Sequence, residues 1–177
     1  GKKSLKQRLD AGDKSIFESK PFTPVLIQRM IGEKDPDKLP KCGVMFTEEP
    51  EGGISKLNLK DEKGKIKTTA ITVIQAAYGH NEGVVNSLIS VDTFHVDGER
   101  QIYPVIRPKT QRLVPVDESG KLEMRSNPSR VGYSSALNKD SIIVLKEFAQ
   151  ALEDYYMRPM DVEFVVDEEE RKIYVVQ

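Results

Sequence analysis

The chain lacks the features that mark several protein classes. Its single cysteine, Cys42, has no partner for an internal disulfide, and a lone thiol suits a reducing cytoplasm. No apolar run approaches the roughly 20 residues that a membrane-spanning helix needs, and the lysine-rich start has no hydrophobic stretch of the signal-peptide kind. Charge is nearly balanced, 27 Lys and Arg against 28 Asp and Glu for a formal net of -1. That removes any electrostatic reason to expect nucleic acid or an anionic membrane as partner. There are two histidines, His80 and His95. Neither belongs to a cysteine and histidine spacing that suits zinc or to a Ser, His and Asp setting for hydrolysis, and both are expected to be structural or surface residues. No Gly-rich phosphate loop with a following lysine occurs, nor any internal repeat or low-complexity tract. Gly1 stands where an initiator Met would, as an internal boundary or a tag remnant would leave it.

What is present fits a globular domain. The 177 residues suffice for one domain or slightly more with a real core, and 31% charged against 38% hydrophobic residues is the balance of a folded, soluble chain. Lys2 to Leu9 can form a helical turn or two. Strands are predicted at 24–31, 42–47, 69–77, 92–96, 100–107 and 112–116, the later ones as an antiparallel meander with turns at Asp97-Gly98 and Ser119-Gly120. Residues 56–67 mix lysines with Asp61 and Glu62 and predict an exposed loop or hairpin. The least regular stretch is 117–138, which predicts a loop or mobile insertion. A helix opens near Asn138 and runs to Tyr156, with Ile142, Leu145, Ala149 and Leu152 at helical spacing, and Arg158-Pro159 ends it.

The most informative stretch closes the chain. Val162, Phe164 and Val166 alternate with Asp161, Glu163 and Asp167, so a strand there puts the apolar set on one face and the acids on the other. Ile173, Val175 and Gln177 alternate in the same way. With Glu168 to Lys172 as the turn of a hairpin, residue 163 falls opposite residue 177, and Glu163 and Gln177 then point the same way. Oxygen ligands side by side on a rigid ribbon suit a hard cation such as Mg²⁺ shared with phosphates. An amphipathic hairpin with a solvated acidic face fits the same pattern.

Arg158-Pro159-Met160-Asp161-Val162-Glu163-Phe164 and Ile173-Tyr174-Val175-Val176-Gln177 resemble the last two strands of the ATP-grasp nucleotide-binding domain in the phosphoenolpyruvate synthase and pyruvate phosphate dikinase family, R-P-M-D-I-E-W and L-Y-I-L-Q-A-R-P. Three upstream segments resemble it too. Ile27-Gln28-Arg29-Met30-Ile31 is similar to V-Q-x-M-V, Gly43 to Gly53 to G-V-x-F-T-x-x-P-x-x-G, and Tyr78 to Val85 to W-G-L-G-E-x-V-V, with Asn81 in place of the second glycine.

The resemblance implies an α+β fold, an ATP-grasp-like subdomain with a mostly antiparallel sheet flanked by helices and a closing β-hairpin. It implies that residues 1–177 are the C-terminal part of that domain, cut from a larger enzyme inside the A-R-P motif. ATP and Mg²⁺ are the implied cofactors. Gln28 and Met30 are implied on the adenine side, Glu163 and Gln177 as metal and phosphate ligands, and Asp161 in their support. Thr47 is expected to serve the scaffold. The junction at 79–83 exposes backbone N–H groups that could take an anion, although Asn81 puts a close phosphate approach in doubt. No residue here is expected to be catalytic by itself. The carrier histidine of the family lies in an S-H-A context that this chain lacks. The implied full-length enzyme, a homo-oligomer among the expectations, would pass a phosphoryl group from ATP through that histidine to pyruvate in domains outside this stretch. A pyruvate phosphate dikinase, a glucan water dikinase, an antibiotic phosphotransferase or a noncatalytic module with the same fold would carry these residues equally well.

Overall fold

The computed structural model describes residues 39–48, 71–116, 121–167 and 172–177, with Asp10 and Gly12 besides. The segments predicted at 2–9, 24–31 and 56–67 lie outside these, and so do Gln28 and Met30. The chain divides into two compact units, 1–30 and 31–177, and everything below concerns the second.

Among the described residues eight strands and three helices follow in the order β1 (Lys41–Phe46), β2 (Thr72–Tyr78), α1 (Glu82–Val85), β3 (Asp92–Val96), β4 (Ile102–Val105), β5 (Gln111–Pro115), β6 (Leu122–Ser126), α2 (Ser129–Gly132), α3 (Lys139–Tyr156), β7 (Asp161–Asp167) and β8 (Lys172–Val175). Six strands form one sheet in the order β4-β3-β2-β1-β7-β8, and β5 and β6 pair apart from it. Every named pairing is antiparallel, so the fold is α+β as expected. β2, β3 and β4 form the first part of the predicted meander. β1 sits in the middle of the sheet, paired with β2 on one side and β7 on the other.

The core lies between this sheet and α3. Asn138 caps the helix, its side chain accepting from the Ser141 N–H, which satisfies one of the donors a helix start leaves open. Ile142, Leu145 and Ala149 pack on Met45, Ile74, Phe94, Val162 and Phe164, the alternate residues of four strands. Gly43 is required in this layer, because a Cβ there would run into the Gln75 carbonyl and the Phe164 ring. Met157, in the left-handed region at φ 54°, ends the helix, and Arg158-Pro159 leads into β7.

Two expectations are corrected. Residues 117–138 are not simply a loop, since β6 and α2 lie within them. β6 is half-buried or exposed throughout, and so lacked the apolar alternation by which a strand is recognised. β5, predicted within the antiparallel meander, pairs instead with β6 apart from the main sheet, while the turn at Asp97-Gly98 is present as expected, with a positive φ of 64° at Arg100. Asp97 holds that turn by accepting from the N–H groups of Glu99 and Gln101, each at 2.9 Å.

Candidate nucleotide and metal site

The sheet face away from α3 carries the candidate site. Register places Thr93, Gln75, Val44 and Glu163 in one row across β3, β2, β1 and β7, and all four are half-buried. In the parallel row Asp161 follows Phe46, Val73 and His95. A third row, Ala77, Cys42 and Val165, is covered by Val84 of α1. The face is thus closed at one end by α1 and less covered along the Glu163 row.

β7 alternates as expected. Val162, Phe164 and Val166 are buried, Asp161 is exposed and Glu163 half-buried, so the two acids share the face away from α3 at a spacing of about 7 Å.

The pairing of β7 with β8 departs from the expected register. The regular pairs run from Asp167↔Lys172 to Phe164↔Val175, one residue short of setting 163 opposite 177. A one-residue slip exchanges faces, and a ladder continued in this register would send Gln177 to the α3 side. Beyond Val175 the ladder changes. The Glu163 N–H donates to the Gln177 carbonyl and the Glu163 carbonyl accepts from the Val176 N–H, both at 2.9 Å. Two successive residues therefore oppose one, the bonding of a β-bulge, which takes up the missing residue. Gln177 meets Glu163 through its main chain, and its side chain is exposed.

Sequence reasoning missed the partner of the Glu163 carboxylate. Asn81 Nδ2 donates to Glu163 Oε2 at 2.6 Å. Asn81 stands where the strand leaving β2 turns into α1. The turn is made by Gly79, at φ 106°, where a Cβ would meet the Leu113 carbonyl oxygen at 2.5 Å. Asn81 itself has right-handed φ and ψ of -61° and -27°, so this position needs no glycine. The one available signal was that an amide replaced the glycine of the W-G-L-G-E pattern.

Most of the junction's N–H groups are already engaged. Those of Gly83, Val84 and Val85 donate to the carbonyls of His80 and Asn81 at 2.9–3.0 Å, and that of Glu82 donates to His80 Nδ1 at 3.3 Å. Thr47 serves the scaffold, as expected. Buried, its hydroxyl accepts from the Met160 N–H at 2.9 Å, and its carbonyl accepts from the Thr72 hydroxyl at 3.0 Å.

The charge of Glu163 is felt beneath the sheet surface. Burial, with the Glu163 carboxylate adding to it, pushes the Cys42 thiol up from 9.0 to about 12. Cys42 is therefore held as a neutral thiol, a poor nucleophile, at ordinary pH.

Among the described residues no three His, Cys, Asp or Glu side chains cluster as a metal cage. Asp161 and Glu163 nonetheless offer hard oxygen donors on one rigid strand. One or two carboxylates, completed by water and phosphate oxygens, are what Mg²⁺ takes at nucleotide sites, and the residues present fit that demand. No described helix is long and apolar enough to cross a membrane.

Comparison with known proteins gives the class of this domain, a nucleotide-binding one. Residues 12–177 match the pyruvate phosphate dikinase AMP/ATP-binding domain family, and the chain belongs to it. Among its relatives, the probable phosphoenolpyruvate synthase of Archaeoglobus fulgidus is 26% identical over 153 residues, covering 86% of this chain and 17% of that protein. The phosphoenolpyruvate synthase of Pyrococcus furiosus is 27% identical over 167 residues, 90% of this chain and 18% of its own length. That of Helicobacter pylori is 28% identical over 151 residues, 77% and 17%. The chain spans less than a fifth of the length of these curated relatives.

Proposed function

We propose that the sheet face bearing Glu163 and Asp161 is the metal and phosphate wall of an ATP site, and that the intact protein is a phosphotransferase of the phosphoenolpyruvate synthase type. The observation that carries the reading is the placement of both acids on the side of β7 away from α3 in a chain of an AMP/ATP-binding family. Phosphoryl transfer asks a protein for charge neutralisation and positioning more than for a covalent group. Bound Mg²⁺ supplies the neutralisation. Glu163, fixed at its backbone by the bulge and at its carboxylate by Asn81, supplies a ligand that does not have to be reorganised, and Asp161 adds a second negative group one step along the strand. Gln28 and Met30 belong to the adenine side in this reading, and Gln177 joins the phosphate wall. Transfer through a carrier histidine to pyruvate belongs to the intact protein.

The test is Glu163→Gln in the intact protein. A glutamine oxygen still accepts from Asn81, so the unfolding free energy should change by no more than ~0.5 kcal/mol. Mg²⁺-dependent ATP turnover should fall by about 100-fold or more, because a metal-bound carboxylate contributes chiefly while charge moves between phosphates. Turnover within twofold of the unsubstituted protein would refute the assignment. A noncatalytic module is the second reading, favoured by the single fact that Asn81 already occupies one Glu163 oxygen. It predicts no gain in ATP affinity on adding Mg²⁺.

A further inference from the structure

We infer that Asn81 is a positioning residue for the Glu163 carboxylate, holding Oε2 so that Oε1 is the oxygen presented to a divalent cation. The inference rests on the metal reading above and adds what that reading leaves open, namely how a lone strand carboxylate is aimed.

Three observations carry it. Asn81 Nδ2 and Glu163 Oε2 are 2.6 Å apart, the short distance of a bond strengthened by an ionised acceptor. Asn81 is only 8% exposed, so its amide has little room to turn. Its other end, Oδ1, is buried without a hydrogen-bond partner. An amide that leaves its oxygen unsatisfied in order to keep its nitrogen on a carboxylate is oriented by that carboxylate. Stability alone would be served at least as well by a side chain with no polar atom there.

The geometry leaves Glu163 with one oxygen spoken for. A carboxylate held in this way binds a metal through a single oxygen, in a direction fixed before the metal arrives. Partners of this kind, one bond removed from the metal, typically change affinity by about 10–100-fold when lost. The pair joins residues 82 positions apart, one at the junction after β2 and one on the strand β7.

Asn81→Leu separates positioning from packing, since leucine keeps the branched shape and has neither the donor nor the stranded acceptor. Calorimetry on the intact protein would compare ATP affinity in excess Mg²⁺ with that under a chelator, for the unsubstituted protein, Asn81→Leu and Glu163→Gln, alongside each thermal midpoint. The expected result is that Asn81→Leu reduces the Mg²⁺ enhancement about tenfold while ATP affinity without metal and the thermal midpoint hold or rise. A diminished enhancement accompanied by a lower midpoint and weaker metal-free binding would make Asn81 a packing residue and overturn the inference. An undiminished enhancement in Asn81→Leu beside a lost one in Glu163→Gln would overturn the role of Asn81 alone. No enhancement in the unsubstituted protein, or an undiminished one in Glu163→Gln, would overturn the metal reading and this inference with it.

Discussion

Lys146 lies on the core side of α3, 7% exposed, with its ammonium donating to the Thr72 hydroxyl at 2.9 Å. Burial draws its pKa below the ordinary 10.5, against the opposing pull of Glu153 and Asp97. A buried cation whose folded pKa is depressed costs stability wherever both states are charged, and the cost is relieved as pH rises through the folded value. Lys146→Met is therefore expected to raise the denaturation midpoint near neutral pH or leave it unchanged, and its advantage over the unsubstituted protein should shrink as titrations move toward pH 10.5. Cys42 has the opposite sign. Its raised thiol contributes stability in full below about 9 and loses it as pH climbs toward about 12. A thiol reagent at neutral pH should leave Cys42 unmodified in the folded protein and react with it at once in denaturant. Neither behaviour was legible in the sequence. The burial of Lys146 and Cys42 is decided by which strands lie against them, which no local pattern encodes.

β1 is the element on which the sheet depends, and Gly43 is its tightest point. Gly43→Ala should lower the unfolding free energy by about 1–3 kcal/mol, the usual cost of forcing atoms into a filled core, measurable by urea denaturation. A second test lies in the segment between β4 and β5. Lys109 and Asp92 are both 0% exposed and 2.6 Å apart, and Asp92 also accepts from the N–H groups of Arg107 and Ala136 at 3.0 and 2.8 Å. Asp92→Asn leaves the buried ammonium without its counter-charge and is expected to cost about 3–5 kcal/mol. The same denaturation experiment with Lys109→Met and Asp92→Asn combined should recover part of that loss. Elements with a strong period were readable. Asp92 to Val96 was predicted with its observed bounds, and the helix expected from near Asn138 to about Tyr156 is found at Lys139–Tyr156. The irregular features were not, since the bulge at Val176 and Gln177 and the bond between Asn81 and Glu163 arise from pairings that no local pattern encodes. The acids of β7 were legible because alternation alone assigns their face, whereas their register with β8 depended on a tip whose length the sequence does not weigh.

On the scale of the whole molecule the candidate wall of the site is one face of one sheet, and among the described residues the rows of Glu163 and Asp161 hold no lysine or arginine to grip a phosphate. Titrated with ATP and Mg²⁺, the 177-residue chain is expected to bind no tighter than about millimolar, since each missing charge-assisted contact costs roughly 1.5–3 kcal/mol. Micromolar affinity by calorimetry would show that the site has been placed on the wrong surface. The sheet order has a consequence for how the molecule is made. β1 bonds to β7, pairing Lys41 with Val166 across most of the sequence, and the ring of contacts around Phe164 cannot close until that last hairpin is available. Local elements such as the β2-β3-β4 meander can form early, while β1 must wait with one edge unsatisfied for β7 to arrive, the arrangement that slows folding and exposes an open strand to neighbouring chains. A ribosome that stalls before Asp161 would therefore display a nascent chain with a sticky central strand, and the segment that carries the acids of the site is also the one that ends this exposure.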